Sequence, residues 1–500
     1  MPAEKMPRFE VEDVPREECG VFAVARIDGR QDTDKDVHLG TQAYQGLLGL
    51  QHRGEDGAGI SVYNPSSDRF ITQKDRGLIT DVFAGGRYLS GFPHGPIALA
   101  HTRYGTGKKS GDAAEKAHPL GGKDSLFMIA MNGHIKELEN RRGMTDTEYL
   151  VDIIDKRMIQ TGETFRASLL TVLRGLTGGY SIVASDGRNL YAARDPWGFR
   201  PLFQQRSEKY HYFISEDSAL GPLRDADISR AQEVTPGTLW TVPLDGGEAY
   251  AEPIYEVDEQ AMCSMEFAYF ARPDTTLRGR SIQEIRMNIG RMLARMEEPD
   301  FTADVVVGIP DSGSDTAIGY SESRGIRYTR AITKNPYVGR TFILANQELR
   351  ASTAELKLHV TPALVKGKDV VVVDDSVVRG TTGRVYVRKL RDAGAKSVHL
   401  RIGFPPHMNP CFYGIDTGNP SELLARRKEL DIDEMAKYFG VDSLRFISED
   451  GLREAIEWTP PWADKGVEKL IGGLCMACVN GKYPTSSQTI LLPIPQVPER

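Results

Sequence analysis

Short apolar runs separated by glycine-rich turns dominate the first half of the chain. Runs that begin at Cys19, Ile97, Leu126 and Tyr180 predict β-strands. Helical spacing over 41–50 and 145–157 interrupts them, and the second segment opens with Thr-Asp-Thr-Glu, which is typical of a helix N-cap. Strands grouped apart from helices in this way predict an α+β layered domain over residues 19–250.

Strands and helices alternate after about Cys263. The runs that begin at Val305 and Val370 are almost wholly apolar and β-branched, as expected of buried parallel strands. A Gly/Thr-containing loop and a helix predicted over 384–393 follow the second run. This order predicts a doubly wound α/β domain over 260–485, with a linker at 245–260 and a proline-rich tail at 486–500.

Composition narrows the class of protein. The 500 residues carry 62 basic and 69 acidic side chains, and the net charge of −7 argues against a nucleic-acid partner. No apolar run approaches the ~18 residues of a membrane span, and the charged segment 1–18 is not a secretory signal. Five cysteines, an odd and sparse set, indicate a reducing compartment. We therefore expect a cytoplasmic enzyme with no membrane or nucleic-acid partner.

Cys19 is a candidate nucleophile because it stands at the head of a predicted strand, behind a polar leader of residues 1–18. Removal of this propeptide would give Cys19 a free α-amino group with a pKa near ~8, close enough to working pH to deprotonate the thiol. The alternative is a buried structural thiol, which is the commoner role of a lone cysteine.

Motifs downstream of Cys19 favour the catalytic role. Cys19-Gly-Val-Phe is followed in order by Gln51-His-Arg-Gly, His101-Thr-Arg-Tyr-Gly, Asn132-Gly and Thr145-Asp-Thr-Glu. Together these motifs resemble the glutaminase domain of the N-terminal-nucleophile amidotransferases. The resemblance implies a four-layer αββα fold for residues 19–250 and glutamine as a substrate.

The same resemblance assigns roles to individual side chains. Arg103 would clamp the α-carboxylate of glutamine, a task suited to a bidentate guanidinium, and Asp146 would bind its α-ammonium group. Asn132 and Gly133 would form the oxyanion hole that receives the negative charge of the tetrahedral intermediate. Arg53 would help to shape the glutamine pocket. Singly, such residues are ordinary surface ion pairs, helix caps and turns.

The loop that follows the Val370 run has the composition of a sugar-phosphate site. A helix start favours phosphate because its free N–H groups and dipole point outward, and Gly380 permits close backbone approach. Two adjacent carboxylates suit sugar hydroxyls better than phosphate. The motif resembles the phosphoribosyl pyrophosphate (PRPP) signature of type I phosphoribosyltransferases, which implies that PRPP is bound by Asp374, Asp375, Ser376, Arg379, Gly380, Thr381 and Thr382.

Further segments resemble amidophosphoribosyltransferase in particular. They begin at Glu266, Ile309 and Lys334, and the likeness extends over almost the whole chain. It implies that Ser312 and Ser314 contact the pyrophosphate, that Mg²⁺ binds near Ser312, Asp374 and Asp375, and that Arg340 and Lys357 lie on a loop that closes over PRPP.

The remaining cysteines, Cys263, Cys411, Cys475 and Cys478, include a C-x2-C pair. Four thiols suit a tetrahedral zinc ion or an iron–sulfur cluster, and spacing alone favours zinc at least as much as iron. The resemblance implies a structural 4Fe-4S cluster, because one branch of the family carries these cysteines in these contexts. That branch also has a cleaved leader that ends in Glu-Glu before the cysteine, as Glu17 and Glu18 do here.

The predicted reaction transfers ammonia from glutamine to C1 of PRPP and gives 5-phosphoribosylamine, the first committed step of purine synthesis. Three alternatives stay open at this point: a specialised paralogue in another pathway, a PRPP-sensing protein with a vestigial transferase site, and a glutamine-dependent synthase with another acceptor. The resemblance also implies a homo-oligomer, either a dimer or a tetramer.

Overall fold

A computed structural model describes residues 19–28, 38–104, 114, 116–122, 126–135, 138, 144–335, 358–415, 417, 419–458 and 473–487. The predicted propeptide (1–18), the loop residues Arg340 and Lys357, and residues 488–500 of the predicted tail lie outside the described residues.

The first domain contains two antiparallel sheets. Its strands are β1 (Gly20–Arg26), β2 (Gly57–Asn64), β3 (Arg69–Arg76), β4 (Ile97–Arg103), β5 (Leu120–Gly121), β6 (Met128–His134), β7 (Gly179–Ser185), β8 (Asn189–Arg194), β9 (Phe203–Arg206), β10 (Tyr210–Ile214), β11 (Gln232–Glu233), β12 (Thr238–Pro243) and β13 (Tyr250–Pro253). Its helices are α1 (Leu39–Gly49), α2 (Ile79–Val82), α3 (Asp146–Thr161) and α4 (Phe165–Arg174).

The two sheets lie face to face between two layers of helices. One has the order β11-β9-β10-β1-β4-β2-β3 and the other β13-β12-β8-β7-β6-β5. Alternate residues of β1 explain the layering: Val21 and Ala23 pack against the second sheet, whereas Phe22 and Val24 pack against α1. On the outer face of the second sheet, α3 and α4 cover Ile129. The predicted αββα fold is therefore confirmed.

The second domain contains a parallel sheet wrapped by helices. Its strands are β14 (Ala261–Cys263), β15 (Thr276–Leu277), β16 (Arg280–Ser281), β17 (Val305–Gly308), β18 (Ile332–Lys334), β19 (Leu358–Val360), β20 (Asp369–Asp374), β21 (Ser397–Ile402), β22 (Ser443–Phe446) and β23 (Gly473–Cys475). Its helices are α5 (Ile282–Arg295), α6 (Ser312–Arg324), α7 (Pro362–Val365), α8 (Thr381–Asp392), α9 (Leu424–Arg427), α10 (Ile432–Phe439), α11 (Glu449–Glu457) and α12 (Ala477–Asn480).

The parallel sheet has the order β17-β20-β21-β22. Its valine-rich strands are buried on both faces: Val370 and Val372 pack towards α8 and α10, whereas Val371 and Val373 pack towards α5 and α6. This is the doubly wound arrangement that the apolar runs predicted, and it brings the carboxyl ends of β17 and β20 to one edge.

Several boundaries differ from those predicted; for example, the helix predicted over 145–157 extends to Thr161. Tyr250–Pro253, placed in the linker, instead forms the edge strand β13, paired with β12. Its side chains are mostly exposed, so the strand leaves no apolar pattern in the sequence. The helix predicted to begin at residue 384 begins at Thr381.

The domains share a continuous apolar core that includes Phe22 and Leu47 of the first and Phe267 and Ile285 of the second. The short parallel pair β14–β23 lies beside this junction. Among the described helices, none combines the length and hydrophobicity that crossing a membrane would require.

Candidate functional site

Cys19 lies at the amino end of β1, in the middle of the seven-stranded sheet. It is partly buried, and the neighbouring strand β4 pairs Thr102 with Gly20 and ends at Arg103. Arg103 has a buried Nη1 atom with no hydrogen-bond partner among the described residues. A buried guanidinium nitrogen close to the predicted nucleophile is suited to a carboxylate ligand.

Asn132 and Gly133 lie near the end of β6, next to β7. Asn132 is 1% exposed, and its Nδ2 atom has no hydrogen-bond partner in the described part of the chain. Gly133 has φ of 138°, and a Cβ atom there would collide with the Gly179 carbonyl oxygen. Only glycine fits this position, and the buried amide of Asn132 remains available to a developing oxyanion.

Asp146 is the first residue of α3, and a capping box formed by Thr145 and Glu148 begins that helix. One carboxylate oxygen of Asp146 accepts a hydrogen bond from the Ile135 backbone N–H at 3.1 Å and lies 3.5 Å from Nδ1 of His134. These contacts hold Asp146 beside the end of β6, so the structure brings it to the same region as Gly133.

Arg53 is fully buried and its guanidinium is engaged by protein groups. Nε donates to the Cys19 carbonyl at 3.2 Å, Nη1 contacts Glu216 at 2.5 Å and Nη2 contacts Glu266 at 3.2 Å. Burial alone would raise the pKa of Glu216, but the charges of His52 and Arg53 outweigh it and hold that pKa well below its usual value. Arg53 therefore fixes the backbone of the predicted nucleophile, while direct contact with glutamine stays a prediction.

Asp374 and Asp375 lie where β20 ends, beside the start of α6. Asp375 accepts hydrogen bonds from the Ser312 hydroxyl at 2.5 Å and the Ser376 hydroxyl at 2.7 Å, and Asp374 accepts one from the Tyr386 hydroxyl at 3.0 Å. Both carboxylates are buried, and burial raises the pKa of Asp375. Buried carboxylate oxygens beside a hydroxyl form a donor set that fits Mg²⁺.

The helix α8 begins directly after this edge. Gly380 is its N-cap, and the Oγ1 atom of Thr381 is buried without a hydrogen-bond partner in the described ranges. The guanidinium of Arg379 is paired with the Glu422 carboxylate at 2.9 Å, and its contact with PRPP stays a prediction. Two further predicted phosphate contacts lie at helix starts, where backbone N–H groups are available: Ser314 in the first turn of α6 and Thr382 in that of α8.

The four predicted cluster cysteines converge from three parts of the chain. Cys263 and Cys475 are paired residues of β14 and β23, and the backbone N–H groups of Met408 and Asn409 both donate to the Cys478 carbonyl at 2.9 Å. Cys411 follows on that same segment and is an electrostatic neighbour of Cys475 and Cys478.

This donor set fits a multi-iron cluster. The four side chains are thiols and not halves of disulfides, and burial raises the pKa of Cys263, Cys475 and Cys478, so bound iron would supply the charge that stabilises their thiolates. In the described ranges, no three His, Cys, Asp or Glu side chains are close enough together to hold one metal ion.

Sequence reasoning missed the buried carboxylates that hold the first site. Glu216 follows β10 with no motif around it, and its partners lie far away in the sequence. Glu266 begins a motif that was singled out, yet its pairing with Arg53 and Arg200 could not be inferred from local sequence. Tyr386, on the face of α8 that meets Asp374, could have been found from helical periodicity.

Comparison with known proteins matches both domains. A family model described as "Glutamine amidotransferase domain" matches residues 108–222. The chain is 38% identical to the amidophosphoribosyltransferase of Methanocaldococcus jannaschii over 491 residues, which cover 93% of this chain and 98% of the relative. It is 35% identical to the Bacillus subtilis protein of the same name, with 94% of each chain covered.

A solved structure gives the same result. The glutamine PRPP amidotransferase from B. subtilis, complexed with ADP and GMP, superimposes with a TM-score of 0.76 at 36% sequence identity. The match covers 93% of this chain and 97% of that one, so the likeness includes both domains and their order.

Proposed function

Because the chain belongs to the amidophosphoribosyltransferase family, we propose that Cys19 and the Asp374–Asp375 edge are the two centres of its reaction. That reaction transfers ammonia from glutamine to C1 of PRPP and yields 5-phosphoribosylamine, glutamate and pyrophosphate. We place it at the first committed step of purine synthesis. The assignment is supported by one observation: a single chain holds two groups of candidate site residues, one around Cys19 in the first domain and one around Asp374 and Asp375 in the second.

At the first site, the Cys19 thiol attacks the carboxamide carbon of glutamine, and the free α-amino group of Cys19 takes up the thiol proton. Asn132 Nδ2 and the Gly133 backbone stabilise the resulting oxyanion. Its collapse breaks the C–N bond while the α-ammonium group of Cys19 returns the proton to the departing nitrogen, so that ammonia leaves and a γ-glutamyl thioester remains, which water hydrolyses to glutamate. Arg103 and Asp146 orient the substrate through its carboxylate and ammonium groups.

At the second site, ammonia forms a bond to C1 of PRPP while the bond to pyrophosphate breaks. The ribose hydroxyls bind the two carboxylates, and the N-terminus of α8 binds the 5-phosphate through its N–H groups and the Thr381 hydroxyl. Bound Mg²⁺, held near Ser312, Asp374 and Asp375, would offset the charge of the departing pyrophosphate.

Separate assays of the two centres test this assignment. Cys19→Ala should abolish glutamine-dependent synthesis but leave synthesis from added ammonium salts within about twofold of wild type, because the second site is untouched. The double variant Asp374→Asn/Asp375→Asn should lose both syntheses. Glutamine use that survives in Cys19→Ala, measured as glutamate release, would refute the role of Cys19.

The cysteine set supports a further proposal, a 4Fe-4S cluster held by Cys263, Cys411, Cys475 and Cys478. When bound, the cluster would join three segments of the second domain. We also propose that residues 1–18 are removed, because the chemistry at Cys19 needs a free α-amino group. A reducing cytoplasm would keep these cysteines as thiols, so we place the protein there. We also propose that the chain assembles into a homo-oligomer.

Native and denaturing mass spectrometry of protein purified without oxygen test both points at once. The denatured chain should begin at Cys19, and the native mass should exceed it by four irons and four sulfides per chain. Cys411→Ser should lose that excess while keeping the processed terminus. A chain that retains residues 1–18 and still hydrolyses glutamine would disprove the removal of the propeptide. A Cys411→Ser variant whose native mass still exceeds its denatured mass by four irons and four sulfides would disprove the ligand set.

A further inference from the structure

A short segment of the second domain, residues 411–415, lies against the oxyanion donors of the first. A Cβ atom on Gly414 would approach the Cα and carbonyl carbon of Gly133 to 3.1 Å each and Nη2 of Arg200 to 2.8 Å. A Cβ atom on Gly179, which pairs with β6, would lie 2.8 Å from the Tyr413 carbonyl oxygen. The backbone of residues 413–414 therefore lies directly against the backbone of Gly133 and Gly179, with the Arg200 guanidinium beside them.

Contacts of Tyr413 with neighbouring residues hold the segment in place. The ring of Tyr413 stacks on Phe199 with centroids 4.0 Å apart and planes inclined by 12°. Its hydroxyl lies 2.9 Å from the Thr485 hydroxyl, and its backbone N–H donates to Cys411 Sγ at 3.3 Å. Since these contacts hold the segment, an atom added at Gly414 would press both on Nη2 of Arg200 and on the backbone of Gly133.

The same segment is connected to the nucleophile by buried charges. The Tyr413 carbonyl accepts a hydrogen bond from Arg200 Nε at 3.0 Å, and Arg200 Nη1 contacts Glu266 at 3.3 Å. Glu266 contacts Arg53, whose Nε donates to the Cys19 carbonyl. Residues 413–414 are thus joined by a continuous set of contacts to Cys19, and they also lie directly against Gly133.

We propose that Gly414 is a positioning residue for the glutaminase reaction: it sets the backbone of Gly133 from the second domain, so that the oxyanion donors are aligned only when residues 411–415 are seated. The proposal rests on the assignment of Asn132 and Gly133 as the oxyanion hole. Gly414 touches no substrate in this scheme and acts through Gly133. Its φ of 103° and the lack of space explain why no larger residue would serve.

Gly414→Ala tests the proposal, with Gly440→Ala as its matched control. Gly440 also has a positive φ, 76°, but nothing lies within 4 Å of a Cβ atom there, so its variant carries the backbone strain alone. In Gly414→Ala, kcat for glutamine hydrolysis should fall by at least ~10-fold, a fraction of the ~10²–10³ lost with a whole oxyanion donor. KM for glutamine and ammonia-dependent synthesis should stay within about twofold of wild type.

A milder variant guards against failure of Gly414→Ala to fold. Phe199→Leu removes the ring beneath Tyr413 without adding an atom near Gly133, and kcat should fall several-fold with the same unchanged KM. Unchanged kcat in either folded variant, a rise in KM alone, or an equal effect of Gly440→Ala overturns the proposal. Asn132→Ala separates the two assignments: glutamine hydrolysis at the wild-type rate in that variant refutes the oxyanion hole itself.

Discussion

Four histidines are buried where a charged ring would lose its hydration. Burial lowers the pKa of His101 to about 3, of His211 and His407 to about 4, and of His118 well below its usual value. The unfolded chain would bind protons at these rings near pH 6.5, whereas the folded chain would not until pH 4 or below. Their contribution to stability is therefore complete above pH 6.5 and is lost as pH falls towards 4.

His407 gives the clearest test, because neither ring nitrogen has a hydrogen-bond partner among the described residues. We expect His407→Leu to raise the free energy of unfolding, and the gain to be about 2 kcal/mol greater at pH 5 than at pH 7.5. Urea unfolding followed by circular dichroism at both pH values measures the difference. His359→Leu, at an exposed position, should show no such gain, and equal gains at the two pH values for His407→Leu would contradict the argument.

Positions of single residues are easiest to predict where the residues share a stretch of sequence. The structure holds Asp146 beside the end of β6, which carries Asn132 and Gly133, because β6 and α3 are close in sequence. The roles of these three residues stay predictions. The partners of Arg53 could not be predicted from the sequence, since Glu216 and Glu266 come from distant segments. No local pattern records which buried carboxylate will neutralise a buried guanidinium.

At the scale of elements, apolar periodicity placed the buried strands and the capping signal placed α3. The Thr-Asp-Thr-Glu sequence is a capping box in the structure, with the Glu148 N–H donating to the Thr145 hydroxyl at 3.2 Å and the Thr145 N–H donating to the Glu148 carboxylate at 2.7 Å. The edge strand β13 escaped prediction because a mostly exposed strand has no apolar alternation. Element prediction thus succeeded where burial is large.

The capping box also aims the proposed ammonium ligand, because Asp146 is the first residue after the cap. Thr145→Ala should cost about 1 kcal/mol of stability and raise KM for glutamine several-fold. Thr164→Ala removes the hydroxyl cap of α4, which has no proposed site residue at its start, and so should cost similar stability with KM unchanged. Glutaminase kinetics and thermal unfolding of both variants measure these effects. The same KM for glutamine in both variants would show that the cap of α3 does not orient Asp146 for substrate binding.

For the whole molecule, the sequence predicted two domains in the correct order but not how they meet. Each domain's signals are local, whereas the junction depends on charges and apolar residues drawn from both, such as Glu266 beside Arg53 and Phe267 beside the core around Leu47. A pattern within one strand or helix cannot encode a partner in another domain. The proposed coupling through Gly414 became visible only in three dimensions.

The pairing of β14 with β23 has a consequence for biosynthesis. Cys263 leaves the ribosome soon after the first domain, but its strand partner Cys475 follows it more than 200 residues later in the chain. In the nascent chain, Cys263 is therefore without Cys475 and Cys478 for most of the time that the second domain takes to emerge. Molecules whose synthesis stops early would carry a complete first domain and a strand β14 without its partner β23, which distinguishes them chemically from chains that contain both strands.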